Sequence, residues 1–169
     1  MRLIGLAGWS GAGKTTLLTK MIPCLQRRGI SVSTIKHAHH AFDVDTPGKD
    51  SWQHREAGAQ QVLVSSGKRW ALLTELREAP EPELGFLLGR LSPVDLVIVE
   101  GFKRDAHPKI EVYRSANAKP WLHPTDQAIV AVASDTAPPN ARHWVDVDNA
   151  EAVADAALRH AMDVAAWRN

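Results

Sequence analysis

Apolar positions along the chain fall into short unbroken runs, separated by stretches in which they recur at helical spacing. Residues 3–7, and residues 96–99 within the strand 95–100, are continuous apolar runs, as expected of parallel strands covered on both faces, and the second strand is the most apolar in the chain. Residues 31–35, 109–113 and 128–133 form further strands, and residues 144–146 an edge strand. Between residues 7 and 31, residues 13–28 predict a helix closed by Gly29, with Pro23 expected to kink it or shift a hydrogen bond. A short helix capped by Asp50 or Ser51 is expected to end at Gly58. The Leu84, Leu87, Leu88, Leu91 stripe predicts a helix over 80–91. The last helix is expected over 150–166, with Asp148 and Glu151 spaced as a capping box. Two β-rich runs, 61–65 and 69–76, flank Ser66-Gly67-Lys68 and predict a hairpin, hence a mixed sheet. From 36 to 50 neither period survives, and a loop of about fifteen residues in so small a domain is more often functional than idle.

Composition narrows the class without deciding it. The 169 residues suit one domain with a real core, read as a single unit over 1–169. A formal net charge of +1, with no long Lys/Arg block, gives no support for nucleic-acid binding. The one cysteine, Cys24, excludes an internal disulfide and suits a reducing compartment. No apolar stretch reaches the roughly 18 residues of a membrane span, so a cytoplasmic protein with no membrane partner is expected.

The chemistry gathers at Gly8-Trp9-Ser10-Gly11-Ala12-Gly13-Lys14-Thr15, followed by Thr16. This is the spacing of a phosphate-binding P-loop, and it stands in the required context, after a buried strand and at the start of a helix. The glycines allow a tight turn that aims successive N–H groups at an anion, and the helix N-terminus adds unpaired donors. Lys14 would reach the β- and γ-phosphates, and the Thr15 hydroxyl would meet Mg²⁺. The expected fold is therefore α/β: a three-layer, P-loop NTPase-like domain with a mostly parallel, mixed sheet and a hairpin extension.

Ligands in such sheets lie beyond the carboxyl ends of the strands. Asp95 begins its strand and Glu100 ends it, so only Glu100 can face the P-loop, to hold Mg²⁺ through water or to position an attacking water. Asp43 and Asp45 follow the second strand and read either as metal ligands or γ-phosphate sensors, or as solvated loop aspartates. Lys36, His37, His39 and His40 read as a group positioning a phosphate-bearing partner, as simple loop polarity or as a transition-metal site, though they lack the spacing of a recognised zinc pattern. Asp135 ends a strand where many GTPases carry the carboxylate that accepts two guanine N–H groups; a turn aspartate is the alternative.

Together these stretches resemble the MobB family of molybdopterin-guanine dinucleotide biosynthesis proteins. The resemblance spans nearly the whole length and rests on residues 8–16 with Trp9-Ser10, 34–40, 45–51, 56–59, 69–72, 95–103 and 131–135. It implies a GTP-binding adaptor with slow intrinsic hydrolysis, using Mg²⁺ and acting beside the MobA-type guanylyltransferase that joins GMP to molybdopterin. It also implies a homodimer with the hairpin at 61–76 in the subunit contact. The family's P-loop carries over to Gly8, Gly11, Gly13, Lys14, Thr15 and Thr16, and its strand-end acidic residue to Glu100. Two other readings differ in class. A small-molecule kinase on this scaffold would need an Arg-rich lid, which Arg69, Arg77 and Arg104 do not supply. A metal-delivery GTPase would need the histidine loop to hold its cargo.

Overall fold

In chain order the elements are β1 (Arg2–Ala7), α1 (Lys14–Arg27), β2 (Val32–Lys36), α2 (Asp50–Glu56), β3 (Gln61–Ser65), β4 (Trp70–Thr74), α3 (Leu84–Leu88), β5 (Leu96–Glu100) and β6 (Lys109–Tyr113). β7 (Ile129–Ser134), β8 (Trp144–Asp146), α4 (Ala150–His160), β9 (Met162–Asp163) and α5 (Val164–Trp167) complete it. The computed structural model describes residues 1–38 and 42–167. It resolves into two compact units, Met1–His37 with Leu84–Asn169, and Ala38–Glu83.

In the larger unit the strand order is β2-β5-β1-β6-β7-β8, all parallel, with β9 pairing antiparallel to β1. Continuous apolar runs are explained by burial on both faces. Ile4, Leu6, Leu96 and Ile98 pack with Leu17, Met21 and Leu25 of α1 and Val153, Ala154 and Ala157 of α4. Leu3, Val97 and Val99 point the other way, onto Leu84 and Leu88 of α3 and Val164 of α5. The result is the expected three-layer α/β arrangement. Register puts Leu6 and Lys36 level with Glu100, so β1, β2 and β5 end side by side.

On β6 the second face is polar: His107, Lys109 and Glu111 are all buried. The Lys109 ammonium donates to Lys103 O at 3.0 Å and to Asp126 at 3.2 Å. Glu111 accepts from the main-chain N–H groups of Leu122 and His123 at 2.7 and 2.9 Å, and contacts His123 Nδ1 at 2.9 Å. Glu111 is thus satisfied by the β6–β7 connection, and Lys109 by a carbonyl of the β5–β6 connection and the Asp126 carboxylate. His107 differs: among the described residues neither ring nitrogen has a hydrogen-bond partner. It packs edge-on to Trp167 and so close to β1 that a Cβ at Gly5 would lie 2.5 Å from its Nε2.

The smaller unit holds α2 and the hairpin β3–β4, with Gln61 level with Thr74 and Ser65 with Trp70. Arg55 of α2 ties it together, donating to Asp43 at 2.7 Å, Asp45 at 3.2 Å and Glu75 at 2.7 Å. Leu63, Val64, Trp70 and Leu72 of the hairpin are exposed.

Five expectations change. α2 begins at Asp50 with Lys49, and not Asp50 or Ser51, at its N-cap. The hairpin is a separate two-stranded sheet, so the antiparallel element of the main sheet is β9 instead. The helix expected over 80–91 shrinks to Leu84–Leu88, because Pro80 and Pro82 interrupt its start and Gly89 closes it. The last helix stops at His160, where Ala161 turns extended and lets Met162–Asp163 pair with the start of β1. That stretch of β1 lies beyond the reach of β6, which pairs only with Gly5 to Ala7. The α4 cap is Asn149, whose side chain accepts from Ala152 N at 3.0 Å, while Asp148 is drawn away by Arg114. α1 continues as helix through Pro23.

Candidate functional site

The buried strand β1 delivers the chain into Gly8, and the loop from there to Gly13 turns back into α1. Gly8 is required by a close approach: a Cβ there would stand 2.5 Å from Val112 O, at φ +149°. Within the loop Ala12 N donates to Trp9 O at 3.1 Å, and the first intrahelical bond runs from Leu17 N to Gly13 O at 2.8 Å. Among the described residues the N–H groups of Gly11, Gly13, Lys14, Thr15 and Thr16 find no main-chain acceptor. A cluster of such donors at a helix start is an anion cradle. Thr15 and Thr16 are exposed, and Ala12 is buried beneath the loop.

Lys14 is half-buried and folds over its own loop, donating to Gly8 O at 3.0 Å and Trp9 O at 3.1 Å. Burial holds its ammonium below the usual lysine range; Glu100 opposes that effect, while Lys103 and Lys36 add to it. One carboxylate and three ammonium groups therefore share this end of the sheet. Glu100 ends β5, with its main-chain O accepting from His37 N at 2.8 Å. The next residue, Gly101, has φ +103°, and a Cβ there would overlap His37. His37 in turn faces the Phe102 ring, 5.2 Å between centroids. Lys36, at the exposed end of β2, stands level with Glu100.

The P-loop also has a neighbour that the sequence did not point to. The connection between β6 and β7 passes beside it, starting with a 3-10 turn at Ser115–Asn117. Asn117 Nδ2 donates to Ser10 O at 3.0 Å, and the Trp9 indole donates to Pro120 O at 2.8 Å. Lys103 lies 5.6 Å over the Trp9 ring. Asn117, Ser115 and Lys103 sit in runs that no hydrophobic period claims. For Ser115 and Asn117 the one available signal was their position after the carboxyl end of β6, while Lys103 closes the 95–103 run that carries the family resemblance.

Asp135, the expected guanine reader, has both oxygens engaged: it accepts from Ser115 N at 2.9 and 3.2 Å and from Ser115 Oγ at 3.0 Å. Those bonds hold its carboxyl below the usual aspartate range, the Ser115 amide contributing most. Asp45, expected at Mg²⁺, lies in the smaller unit. Its Oδ1 accepts from Thr46 N and Ser51 Oγ and its Oδ2 from Arg55, which makes it a brace for that loop. Asp43 accepts from Asp45 N at 2.8 Å as well as from Arg55. His39 and His40 lie outside the described residues. Among the described residues no group of three or more His, Cys, Asp or Glu is placed to hold a metal ion. None of the described helices is long and apolar enough to cross a membrane.

A strand, a glycine loop and a helix start that present unpaired amides and a lysine at the mouth of a parallel sheet define a P-loop NTPase-like protein. Comparison with known proteins narrows this further. Residues 3–135 match the family model described as MobB, molybdopterin guanine dinucleotide synthesis protein B. The chain is 46% identical over 156 residues to the molybdopterin-guanine dinucleotide biosynthesis adapter protein of Escherichia coli K12, covering 90% of this chain and 89% of that one. The adapter protein of that name from Haemophilus influenzae is 44% identical over 156 residues, covering 90% and 85%. Among solved structures, the crystal structure of molybdopterin-guanine biosynthesis protein B superposes with a TM-score of 0.74 at 30% identity, covering 93% of this chain and 98% of that one. The chain belongs to the MobB family.

Proposed function

We propose that this chain is a GTP-binding adaptor in the assembly of molybdopterin guanine dinucleotide, serving a guanylyltransferase of the MobA type and hydrolysing GTP slowly at most. The observation that carries the reading is the set of unpaired amides at Gly11 and Gly13–Thr16 with Lys14 above them, in a chain of this family. The amides and the Lys14 ammonium would hold the β- and γ-phosphates. To meet a polyphosphate, Lys14 exchanges its two carbonyl acceptors for phosphate oxygens, a short movement of a flexible side chain.

The Thr15 hydroxyl and the Glu100 carboxylate form an oxygen donor set of the kind Mg²⁺ prefers, and they would hold it, Glu100 through water. Bound there, Mg²⁺ would supply charge neutralisation to the phosphates. Glu100 is the acidic group at this strand end that could orient a water. The sequence shows no water-positioning glutamine, which fits slow turnover. Lys36, at the end of β2, and His37 after it would offer charge and hydrogen bonds to the phosphate of molybdopterin. The exposed apolar positions of the hairpin, Leu63, Val64, Trp70 and Leu72, support self-association through residues 61–76.

The test is calorimetric titration with GTP and with ATP, with and without Mg²⁺, repeated with the guanylyltransferase present. GTP is expected to bind, and Lys14→Ala to weaken it roughly ten- to a hundredfold, as for a lost hydrogen bond to a charged group. Unchanged GTP affinity in that variant overturns the site. Unchanged product formation by the transferase when this protein is added overturns the adaptor role.

A further inference from the structure

Asp135, Ser115 and Asn117 form a line of contacts that ends on the P-loop. We infer that this line positions the phosphate cradle, and that Asn117 is the residue that aims the Gly11 amide at the ligand. The inference rests on the nucleotide-binding reading above.

The geometry is that of a single peptide unit. Ser10 C=O and Gly11 N–H belong to the same trans planar group, so they point in opposite directions. Asn117 Nδ2 holds Ser10 O at 3.0 Å from outside the loop. Because the acceptor is a carbonyl, only the amide nitrogen of Asn117 can face it. With the oxygen fixed outward, the Gly11 N–H is turned inward, and it is one of the amides without a main-chain acceptor among the described residues. Gly11 lies at φ +81°, and a Cβ there would come within 3.3 Å of Asn117 Oδ1, so the loop and Asn117 are closely fitted. A glycine-rich loop without such a tie samples other peptide orientations, and each one withdraws a donor from the cradle.

Asn117 is itself held. It ends the 3-10 turn at Ser115–Asn117, and Asn117 N donates to Arg114 O at 3.0 Å. Asp135 fixes the start of that turn through Ser115 N and Oγ. The other end of the segment is pinned by Glu111, which accepts from Leu122 N and His123 N. Between the two anchors, Pro120 O receives the Trp9 indole, a second tie to the P-loop. Asp135 therefore acts through the phosphate cradle, by way of the Ser115 turn, and is a positioning residue.

A positioning role and a guanine-reading role give opposite signatures. Affinities for GTP and for inorganic pyrophosphate, both with Mg²⁺, would be measured for the wild type and for Asn117→Ala, Asn117→Asp and Asp135→Asn. A positioning role weakens both ligands by one common factor, about three- to tenfold for Asn117→Ala, the range of one neutral hydrogen bond, and more for Asn117→Asp, whose carboxylate repels Ser10 O. Amide spectra of the ligand-free variants are expected to shift at Ser10 and Gly11 while the sheet resonances stay in place, which also shows that the variants fold. Loss confined to GTP in Asp135→Asn restores the base-reading role and overturns the inference, as do unchanged affinities or an unmoved Gly11 resonance. A wild type that binds neither ligand overturns the nucleotide-binding reading itself.

Discussion

His107 makes the stability of this protein acid-sensitive in a way that can be sized. The imidazole is fully buried, its two nitrogens lack partners among the described residues, and burial, with Lys109 nearby, lowers its pKa from 6.5 to about 4. Between those values the unfolded chain binds a proton that the folded chain refuses. Stability is therefore whole above pH 6.5 and falls as the pH drops toward 4. The loss is about 2 kcal/mol at pH 5 and about 3 kcal/mol at pH 4, from roughly 1.4 kcal/mol per pH unit of separation between the two states. His107→Leu removes the titrating group and the unpaired nitrogens while keeping most of the volume. Urea unfolding of both proteins at pH 7.5, 6 and 5 isolates the effect, since every other titrating group cancels in the difference. The variant is expected to gain about 2 kcal/mol on the wild type between pH 7.5 and 5. Parallel pH profiles would show that water or a side-chain rearrangement satisfies the ring, and would refute the reasoning.

Two further outcomes concern the site. Polyphosphate favours the charged form of Lys14, whose ammonium is held below the usual lysine range, so GTP affinity is expected to fall as the pH rises through that lowered value, with proton uptake on binding. Glu100→Gln removes the carboxylate that supports the charge and should move the fall to lower pH; titrations in buffers of different ionisation enthalpy read both, and an affinity flat up to pH 10.5 contradicts the assignment. Gly101→Ala combines φ +103° with an overlap on His37 and is expected to destabilise by about 1–3 kcal/mol. An unchanged Tm would mean that the ends of β2 and β5 give way freely.

Much of the fold was legible because strands buried on two faces leave unbroken apolar runs, as in residues 3–7 and 96–99. The glycine loop was legible because its spacing, between a strand and a helix, matches the P-loop pattern. What escaped the sequence was decided by partners far along the chain. Asp148 looked like a cap until Arg114 claimed it, and Asn149 took the position. Residues 162–163 looked like more helix, but two residues of β1 needed a strand partner. Asn117 carried no signal, since a lone asparagine in an aperiodic run gains meaning only when another loop is brought beside it. Asp135 was noticed for its place at a strand end, yet the serine twenty residues earlier occupies both of its oxygens.

The strand order has a consequence for synthesis on the ribosome. β1 and β2 are made before the strand that lies between them, β5, which spans residues 96–100. Until that stretch leaves the exit tunnel the two strands face a gap one strand wide, with their facing main-chain N–H and C=O groups unpaired. Nascent chains shorter than this therefore carry two open strand edges, the state most exposed to mispairing, until β5 arrives to close the sheet.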